Sequence, residues 1–373
     1  MNRSLVAAAG VLLLCVYTTG AEALPRFAVR TGSKCQSCHV NPSGGAMRQT
    51  FGMQYGRDEL PVPAWSPDFE LEDFTNLLTN FLGVGVDFRT LYFYQEIPDT
   101  AGGKDGKKTT DAFWQMQGDL YLNLKVAKKV GLFLKKGLYS GFEIFGLLTM
   151  LPANGHIKAG KFIPNFGTKI DDHTAYIRTV TGFSPAIGRP ELTGLEFGVS
   201  PGAFTVVGGF YNAEDSFGSS VSSHKAYLGR AEAIVGVGSD LNVGVGGNLF
   251  ATATSAGDRQ NLYGGFASAS YGNLLVFGEA DWIATDLADG TQTGFVTYVE
   301  ANFLVTPGVD LKAAYDFYDE DLDVKSGSVS RYSFGFEFFP IVGVELRPMY
   351  RIVVDEPRDV KNNEFHFLLH FYL

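Results

Sequence analysis

Two cysteines and a histidine stand together in one pentapeptide, Cys35-Gln36-Ser37-Cys38-His39. This C-x-x-C-H spacing is the attachment signature of a c-type haem. Two thiols three positions apart can each form a thioether bond to one vinyl group of the same porphyrin. His39 is then delivered beneath the ring, where its imidazole can coordinate the iron as the proximal ligand. The sequence therefore predicts one covalent haem c, held by Cys35, Cys38 and His39.

Other chemistries also use a cysteine pair at this spacing. The two thiols could form a disulfide in an oxidising compartment, a thioredoxin-like redox pair, or half of a zinc site. The thioredoxin alternative needs a βαβ context, which is absent around the motif. The zinc alternative needs further ligands, which are not evident. The chain has only 3 cysteines, so haem attachment is the favoured interpretation.

The second axial ligand of the iron is not fixed by the motif. Met47 and Met53 follow it closely, and a histidine–methionine pair raises the potential of a haem. His370 is a rival, because the strand pattern predicts that it faces the interior of a barrel near the periplasmic end. His366 and His156 are further interior candidates. Each of these side chains could equally serve in packing or as polar lining, so the sequence leaves the choice open.

Acidic residues cluster in the long loops between the predicted strands. Asp171, Asp172 and His173 lie in the longest of these loops, and further clusters lie at 319–323 and 355–359. Carboxylates and imidazole can bind a divalent iron transiently, and a negative rim concentrates cations. We therefore predict an outer iron contact at Asp171, Asp172 and His173. The alternative is an ordinary solvated acidic loop.

The N-terminal residues 1–23 have the pattern of a secretory signal peptide. Arg3 supplies positive charge, residues 5–16 form an apolar run too short to span a bilayer, and Ala21-Glu22-Ala23 fits a small-residue cleavage site. The third cysteine, Cys15, falls within the apolar run and would be removed with it. Export agrees with the haem motif, because covalent haem is normally added outside the cytoplasm.

Three segments follow the signal peptide. Residues 24–60 are predicted to form a monohaem cytochrome c segment, which is too short to enclose a haem with a core of its own. Residues 61–80 are predicted to be a proline-containing linker. Residues 81–373 consist of short stretches of alternating apolar and polar residues, with abundant glycine (45 in the chain) and 14% aromatic residues overall. Alternation with a period of two predicts strands with one apolar and one polar face.

This strand pattern predicts an all-β fold, a transmembrane antiparallel β-barrel of about 16 strands with both termini on the periplasmic side. Short turns alternate with longer loops, as in barrels with periplasmic turns and extracellular loops. Trp114, Met116 and Leu120 share an apolar, lipid-facing side of one strand. In the last strand, 365–373, the odd-numbered residues are predicted to face lipid. The alternative fold is a soluble all-β protein of the periplasm.

Charges of both signs occupy the predicted inner face, which suits a hydrated lumen. They include Asp87, Arg89, Arg230, Glu232, Arg347 and Arg351. The formal net charge of −10 gives no indication of a nucleic-acid partner. No nucleotide-binding loop, catalytic triad or paired-carboxylate motif is evident.

With the haem motif and the barrel in one chain, the sequence resembles the fused monohaem cytochrome–porins of the bacterial outer membrane, as in iron-oxidising bacteria. The matching residues are 27–32 (Phe-Ala-Val-Arg-Thr-Gly), the pentapeptide at 35–39, Pro42 and Phe51-Gly52, followed by a porin-like barrel. The resemblance implies a haem in or under the lumen. It also implies electron transfer between extracellular Fe(II), or another redox substrate, and a periplasmic carrier such as a soluble c-type cytochrome.

Three functions are therefore weighed. The first is an outer-membrane electron-transfer protein, which would act as an Fe(II) oxidase if iron is the donor. The second is a porin for small solutes whose haem is a plug or a sensor. The third is a peroxidase-like haem enzyme, which requires an open iron site. All three place the chain in contact with outer-membrane lipid.

Overall fold

The computed structural model describes residues 25–63, 74–98, 107–138, 141–183, 191–213, 224–253, 258–355 and 360–373. The predicted signal peptide lies outside these residues. The described residues form 4 short helices and 17 strand segments. None of these helices is long and apolar enough to cross a membrane.

The strands form one closed antiparallel sheet. Their bounds are β1 (Leu82–Pro98), β2 (Lys107–Ala127), β3 (Val130–Gly137), β4 (Phe142–Leu151), β5 (Gly155–Phe162), β6 (Leu192–Val199), β7 (Phe204–Asn212), β8 (Lys225–Val237), β9 (Leu241–Ala253), β10 (Arg259–Tyr271), β11 (Leu274–Leu287), β12 (Gly290–Thr306), β13 (Val309–Asp319), β14 (Val329–Phe338), β15 (Val344–Asp355), β16 (Val360–Lys361) and β17 (Glu364–Tyr372). β1 pairs with both β2 and β17, so the sheet closes on itself. β16 has 2 residues and extends the hairpin of β15 and β17. The barrel therefore has 16 full strands, as the sequence pattern predicts.

The outer surface of the barrel is apolar. On β17, Phe367 and Phe371 are exposed, whereas Leu368, His370 and Tyr372 are buried on the inner side. Exposed apolar side chains recur around the barrel, among them Leu120, Leu195, Phe210, Leu249, Val276, Phe303 and Phe334. A closed sheet with apolar side chains outside and polar ones inside is the arrangement of a transmembrane barrel. The chain is thus a bacterial outer-membrane β-barrel in contact with lipid.

The charged side chains predicted on the inner face do point inward. Arg89, Arg230, Arg347 and Arg351 are all buried, although they belong to strands far apart in sequence. They meet carboxylates in ion pairs, for example Arg89 with Asp87 and Arg230 with Glu232. The lumen is therefore lined by paired charges.

One outward prediction is wrong. Met116 is buried against Leu91 and Leu368 instead of facing lipid beside Trp114. The pairing of β1 with β2 shifts by one residue here, because Arg89 is paired with Gln117 but Thr90 is paired with Gln115. Met116 is the extra residue of a β-bulge, which turns its side chain away from the face that simple alternation assigns.

The N-terminal residues 25–63 lie inside the barrel, and we call this segment the plug. It contains α1 (Pro25–Thr31), α2 (Cys35–Cys38) and α3 (Thr50–Asp58), and α1 packs against β9, β10 and β11. The Nζ of Lys34 donates to three carbonyl oxygens of one short turn, those of Ser200, Gly202 and Phe204, at 3.4, 2.6 and 3.0 Å. This contact fixes the plug at the short-turn end, which is the periplasmic end in such barrels.

Part of the predicted linker is also anchored to the barrel. The Val62 N–H donates to the carbonyl of Phe339 at 2.9 Å, and the Asn76 side chain donates to the Arg48 carbonyl. Residues 74–81 are irregular, and the first strand begins at Leu82.

A second segment, residues 163–183, also folds into the lumen, and we call it the inner loop. It follows β5 and contains α4 (Tyr176–Thr181). Three of its backbone N–H groups donate to strand carboxylates: Asn165 to Glu196 at 3.3 Å, Thr168 to Glu279 at 2.6 Å and Tyr176 to Asp316 at 3.0 Å. The long loop around Asp171, which the sequence predicts to lie outside, is therefore an internal element in its described part.

Candidate haem site in the lumen

The C-x-x-C-H motif occupies a single helical turn inside the barrel. Cys35 and Cys38 begin and end α2, and residues three apart in a helix lie on the same side. The His39 N–H donates to the Cys35 carbonyl at 3.1 Å, after which the backbone becomes extended. Cys35 and Cys38 do not form a disulfide in the described structure. Burial, with the charge of Glu232, raises the pKa of Cys35 to about 11, so this thiol is neutral at pH 7.

His39 has one engaged and one unengaged ring nitrogen. Its Nδ1 lies 3.2 Å from the Ala46 carbonyl oxygen. Its Nε2 is buried and has no hydrogen-bond partner among the described residues. Burial, assisted by the positive charge of Arg48, lowers the pKa of His39 to about 4, so the ring is neutral at pH 7. A ligating histidine typically donates its other ring N–H to a carbonyl or carboxylate, and His39 is in that state.

A tight hairpin brings the Ala46 carbonyl to His39. His39 and Arg48 form an antiparallel bridge, and the Val40 N–H donates to the Met47 carbonyl at 3.0 Å. Gly44 has a positive φ of 83°, and a Cβ built on it would lie 3.2 Å from the Cys35 Sγ. The absence of a side chain at Gly44 therefore leaves room beside this thiol.

A large cavity opens in front of His39. The space between its walls, counted together with the open mouth, is about 1280 Å³. The plug, the inner loop and the strands all contribute to its walls. Side chains from the first two include Phe27, His39, Lys169, His173, Arg178 and Phe183. The histidine of the motif thus lines the cavity, and Cys35 borders a second, smaller space that shares Lys169 and Phe277 with it.

Two cations from the inner loop face this cavity. Arg178 is buried, and its Nε and Nη2 have no partner among the described residues. Lys169 makes no ion pair in the described part of the chain. Burial and the nearby charge of Arg178 lower the pKa of Lys169 to about 7. Poorly solvated cations without a counter-ion are costly unless an anion joins them, and the two propionates of a haem are anions of that kind.

The predicted distal ligands are not equally placed. Met47 is buried against Gly83 and Gly85 of β1, and Met53 is buried on α3. Neither methionine lines the cavity that holds His173 and Arg178. Met47 does line a second, more open space at the periplasmic mouth, which His39 also borders.

The three interior histidines of the strands have different surroundings. His370 lines the large cavity, but its two ring nitrogens lie 2.8 Å from carboxylate oxygens of Glu345 and Asp87. The His366 Nε2 lies 3.1 Å from Glu364. His156 makes no hydrogen bond in the described residues, and its Nε2 is 4.0 Å from Glu196. His156 borders the mouth space and not the large cavity.

The predicted outer iron contact is not on an outer rim. Asp171 accepts from Arg89 at 2.7 Å and from Arg347 at 2.6 Å. Burial alone would raise the pKa of the Asp171 carboxyl, but these two arginines hold this pKa well below its usual range. Asp172 is paired with Arg351 in the same way. The prediction assumed free, solvated carboxylates, whereas these two are half-buried and held in ion pairs with the barrel wall.

Three carboxylates in the same region lie close enough together to hold a metal ion. Oxygen atoms of Asp171, Glu337 and Glu345 lie within 4.8 Å of one another. Each is already bound to positively charged groups or to a histidine: Glu337 to Arg26 and Lys312, and Glu345 to His370. Neighbouring side chains therefore satisfy the negative charge of this cluster.

Nothing in the sequence around Lys169 and Arg178 marks these two residues as part of a site. Single basic residues in a long loop have no local pattern that separates them from surface charges. The only signal in the sequence was indirect. The loop carries both acidic and basic residues, and these charges are complementary to the arginines and carboxylates of the inner wall.

Comparison with known proteins addresses the fold. No protein-family model and no curated protein matches the sequence significantly. Among solved structures, the chain is similar to an anion-selective porin from Comamonas acidovorans, with a TM-score of 0.54 at 13% identity over 78% of this chain and 99% of that one. It is also similar to OmpT, an outer membrane protein of Vibrio cholerae (TM-score 0.55, 13% identity, 78% and 97% coverage).

The outer membrane channel DcaP of Acinetobacter baumannii is a further neighbour, with a TM-score of 0.53 at 13% identity, covering 78% of this chain and 97% of that one. At these identities the likeness concerns the fold alone. The chain accordingly has the closed 16-strand barrel fold of outer-membrane porins, with residues 25–63 folded into its lumen.

Proposed function

We propose that the chain is an outer-membrane electron-transfer protein, in which a covalent haem c is held by Cys35, Cys38 and His39 in the lumenal cavity. The observation that carries the proposal is the buried Nε2 of His39, which has no partner among the described residues. His39 directly follows the Cys35–Cys38 turn and lines the lumenal cavity. An isolated disulfide or a plain plug would not require an unsatisfied histidine nitrogen at this point.

The residues around the motif suit this group. The two thiols lie on one helical turn, the Ala46 carbonyl fixes the His39 ring, and Phe27 and Phe183 supply apolar walls. Lys169 and Arg178 offer unpaired positive charge to propionates. Bound haem supplies a one-electron redox centre, and histidine ligation with restricted solvent sets its potential.

The barrel gives this site two aqueous approaches through a hydrocarbon layer about 25–30 Å thick. The short-turn end leads to the periplasm, where the mouth is bordered by Gln36 and Ser37 of the motif and by Lys125, Lys128 and Lys129. This positive rim favours a soluble electron carrier with an acidic face, such as a small c-type cytochrome. From the other end, extracellular Fe(II) or another small redox substrate would enter the lumen.

Proteoliposomes test this function. The full-length haem-loaded protein is placed in vesicles with an entrapped electron acceptor, and Fe(II) is added outside. We expect the acceptor to be reduced, and we expect a Cys35→Ser, Cys38→Ser double variant, whose barrel lacks covalent haem, to leave it oxidised. A haem-loaded barrel that fails to reduce the entrapped acceptor with Fe(II) or with stronger external reductants contradicts the proposal.

A porin for small solutes is the second candidate. The fold supports it, since the neighbours include a protein described as an anion-selective porin and another described as a channel. The arginines of the lumen would suit anions. The plug and the inner loop oppose it, because both occupy the lumen. Single-channel conductance in planar bilayers discriminates: a large, steady conductance with anion selectivity in the haem-loaded protein favours the porin.

A further inference from the structure

We propose that His173 is the second axial ligand of the haem iron, so that the iron is held by two histidines from two different segments. This inference rests on the proposed haem at Cys35, Cys38 and His39. It replaces the methionines and His370 as distal candidates with a residue of the inner loop.

The first argument is the state of the His173 ring. Its side chain is 5% exposed, its Nδ1 is buried without a partner, and neither ring nitrogen makes a hydrogen bond within the described residues. Buried imidazoles are normally hydrogen-bonded, because an unsatisfied polar atom costs about 1–3 kcal/mol. His39 likewise has one buried ring nitrogen without a partner, its Nε2. An iron atom would accept the lone pair of one nitrogen from each ring.

The second argument is position. His39 and His173 line the same cavity, although 133 residues of sequence separate the plug from the inner loop at these points. Both rings also lie close enough to Asp87 to feel its charge. The cavity therefore receives one unengaged imidazole from the plug and one from the inner loop.

The third argument is that the inner loop is fixed on both sides of His173. Before it, Asp171 is held by Arg89 and Arg347. After it, the Thr174 carbonyl accepts from Arg331 at 2.9 Å and its hydroxyl oxygen accepts from Arg351 at 2.7 Å. A ligand supported in this way is already positioned before the metal group binds. The contacts of Asp171 and Thr174 with the arginines of the wall would therefore orient His173 as well as hold the inner loop.

The rival residues are less suitable. His370 would have to release two carboxylates to bind iron. Met47 is packed against the β1 wall. His156 is the strongest rival because it lacks hydrogen bonds, but it faces Glu196 and lies outside the large cavity.

Spectroscopy of the full-length haem-loaded protein tests the assignment. In the wild type we expect a low-spin ferric haem whose near-infrared charge-transfer band and electron paramagnetic resonance signal are those of bis-histidine ligation. The His173→Ala variant should become predominantly high-spin, and added imidazole should restore the low-spin form. The His173→Met variant should acquire the histidine–methionine band. The matched control, His156→Ala, should retain the wild-type spectrum.

The outcomes separate this inference from the proposed function. A low-spin spectrum unchanged in His173→Ala, or changed only in His156→Ala, overturns the assignment and leaves the haem proposal standing. A histidine–methionine band in the wild type overturns it without any variant, even if His173→Ala fails to fold. A wild-type protein exported and folded without covalent haem overturns both.

Discussion

The two ring nitrogens of His39 are treated differently by the fold. One is directed at a backbone carbonyl of its own hairpin, and the other is buried with nothing to bind. A purely structural histidine would gain by satisfying both nitrogens. The asymmetry agrees with a side chain that is oriented from one edge in order to present the other edge to a ligand.

At the same scale, Arg178 provides a quantitative prediction. Its unpaired guanidinium lines the cavity, so an anion there should be stabilised by it. Replacing Arg178 with Met removes a positive charge and should favour the oxidised state of the proposed haem, which carries the greater positive charge. We expect the reduction potential to fall by about 60 mV, or about 1.4 kcal/mol for a one-electron couple. Potentiometric titration of the purified protein measures this shift.

The matched control for that experiment is Arg259→Met, which removes an exposed arginine at the start of β10. Its potential should stay within a few millivolts of the wild type, because solvent screens a distant surface charge. Equal shifts in both variants would mean that Arg178 has no special relation to the cavity.

Residue-level prediction from sequence is most specific where chemistry is local. The structure places the C-x-x-C-H motif on one helical turn with both thiols on one side, and the haem attachment it indicates stays a prediction. The sequence misplaced Asp171 and Asp172 on an outer loop, because their partners Arg89, Arg347 and Arg351 lie on strands at the two ends of the barrel sequence. Whether such a carboxylate is solvated or paired depends on how the first and last strands close the barrel, and a local sequence pattern does not predict this.

At the scale of elements, the hairpin from His39 to Arg48 connects the motif to its support. Gly44 and Gly45 both have positive φ, 83° and 73°. A Cβ on Gly44 would crowd Cys35, whereas one on Gly45 would have nothing within 4 Å. Alanine at either position should therefore have the same backbone cost, about 1–2 kcal/mol. The two variants differ only in the contact with Cys35.

We therefore expect Gly44→Ala to lower the haem-to-protein ratio more than Gly45→Ala does. The difference should correspond to about 1–3 kcal/mol of crowding beside the thiol. Haem content by absorbance, normalised to folded barrel by heat-modifiable migration on gels, measures it. If the two variants retain equal haem, the space beside Cys35 is not needed for attachment.

Strands and loops differed in how well sequence predicted them. The alternation of β17 correctly assigned its inner and outer residues, since a strand with one lipid face has a rigid period of two. The inner loop has no period, and its direction is decided by N–H groups meeting Glu196, Glu279 and Asp316 on other strands. The bulge at Met116 shows that alternation can also fail within a strand. One extra residue there reverses which side chains are predicted to face lipid.

For the whole molecule, the central question is how firmly the plug fills the barrel. Arg26 is paired with Glu337, and Arg30 is paired with Asp310 at 2.7 Å. All four side chains are largely shielded from solvent. These contacts hold α1 to the wall, and losing each should cost about 1.5–3 kcal/mol.

An Arg26→Met, Arg30→Met double variant should therefore loosen the plug and raise the ion conductance of the barrel several-fold in planar bilayers. The control is Arg57→Met, which removes an exposed pair with Asp58 that is worth at most about 1 kcal/mol. A double variant with the low conductance of the wild type would show that other contacts keep the lumen closed.

The plug also packs against the seam where β1 pairs with β17. Arg48 lies 4.2 Å from the ring centre of Tyr372, the last residue of β17, and Met47 fills the space over Gly83 and Gly85 of β1. The Leu373 N–H donates to the Val86 carbonyl beside them. The residues that close the barrel thus also hold the plug, so we expect closure of the sheet and docking of the plug to be coupled during biogenesis. For the proposed haem, this coupling favours attachment in the periplasm before the barrel inserts into the membrane.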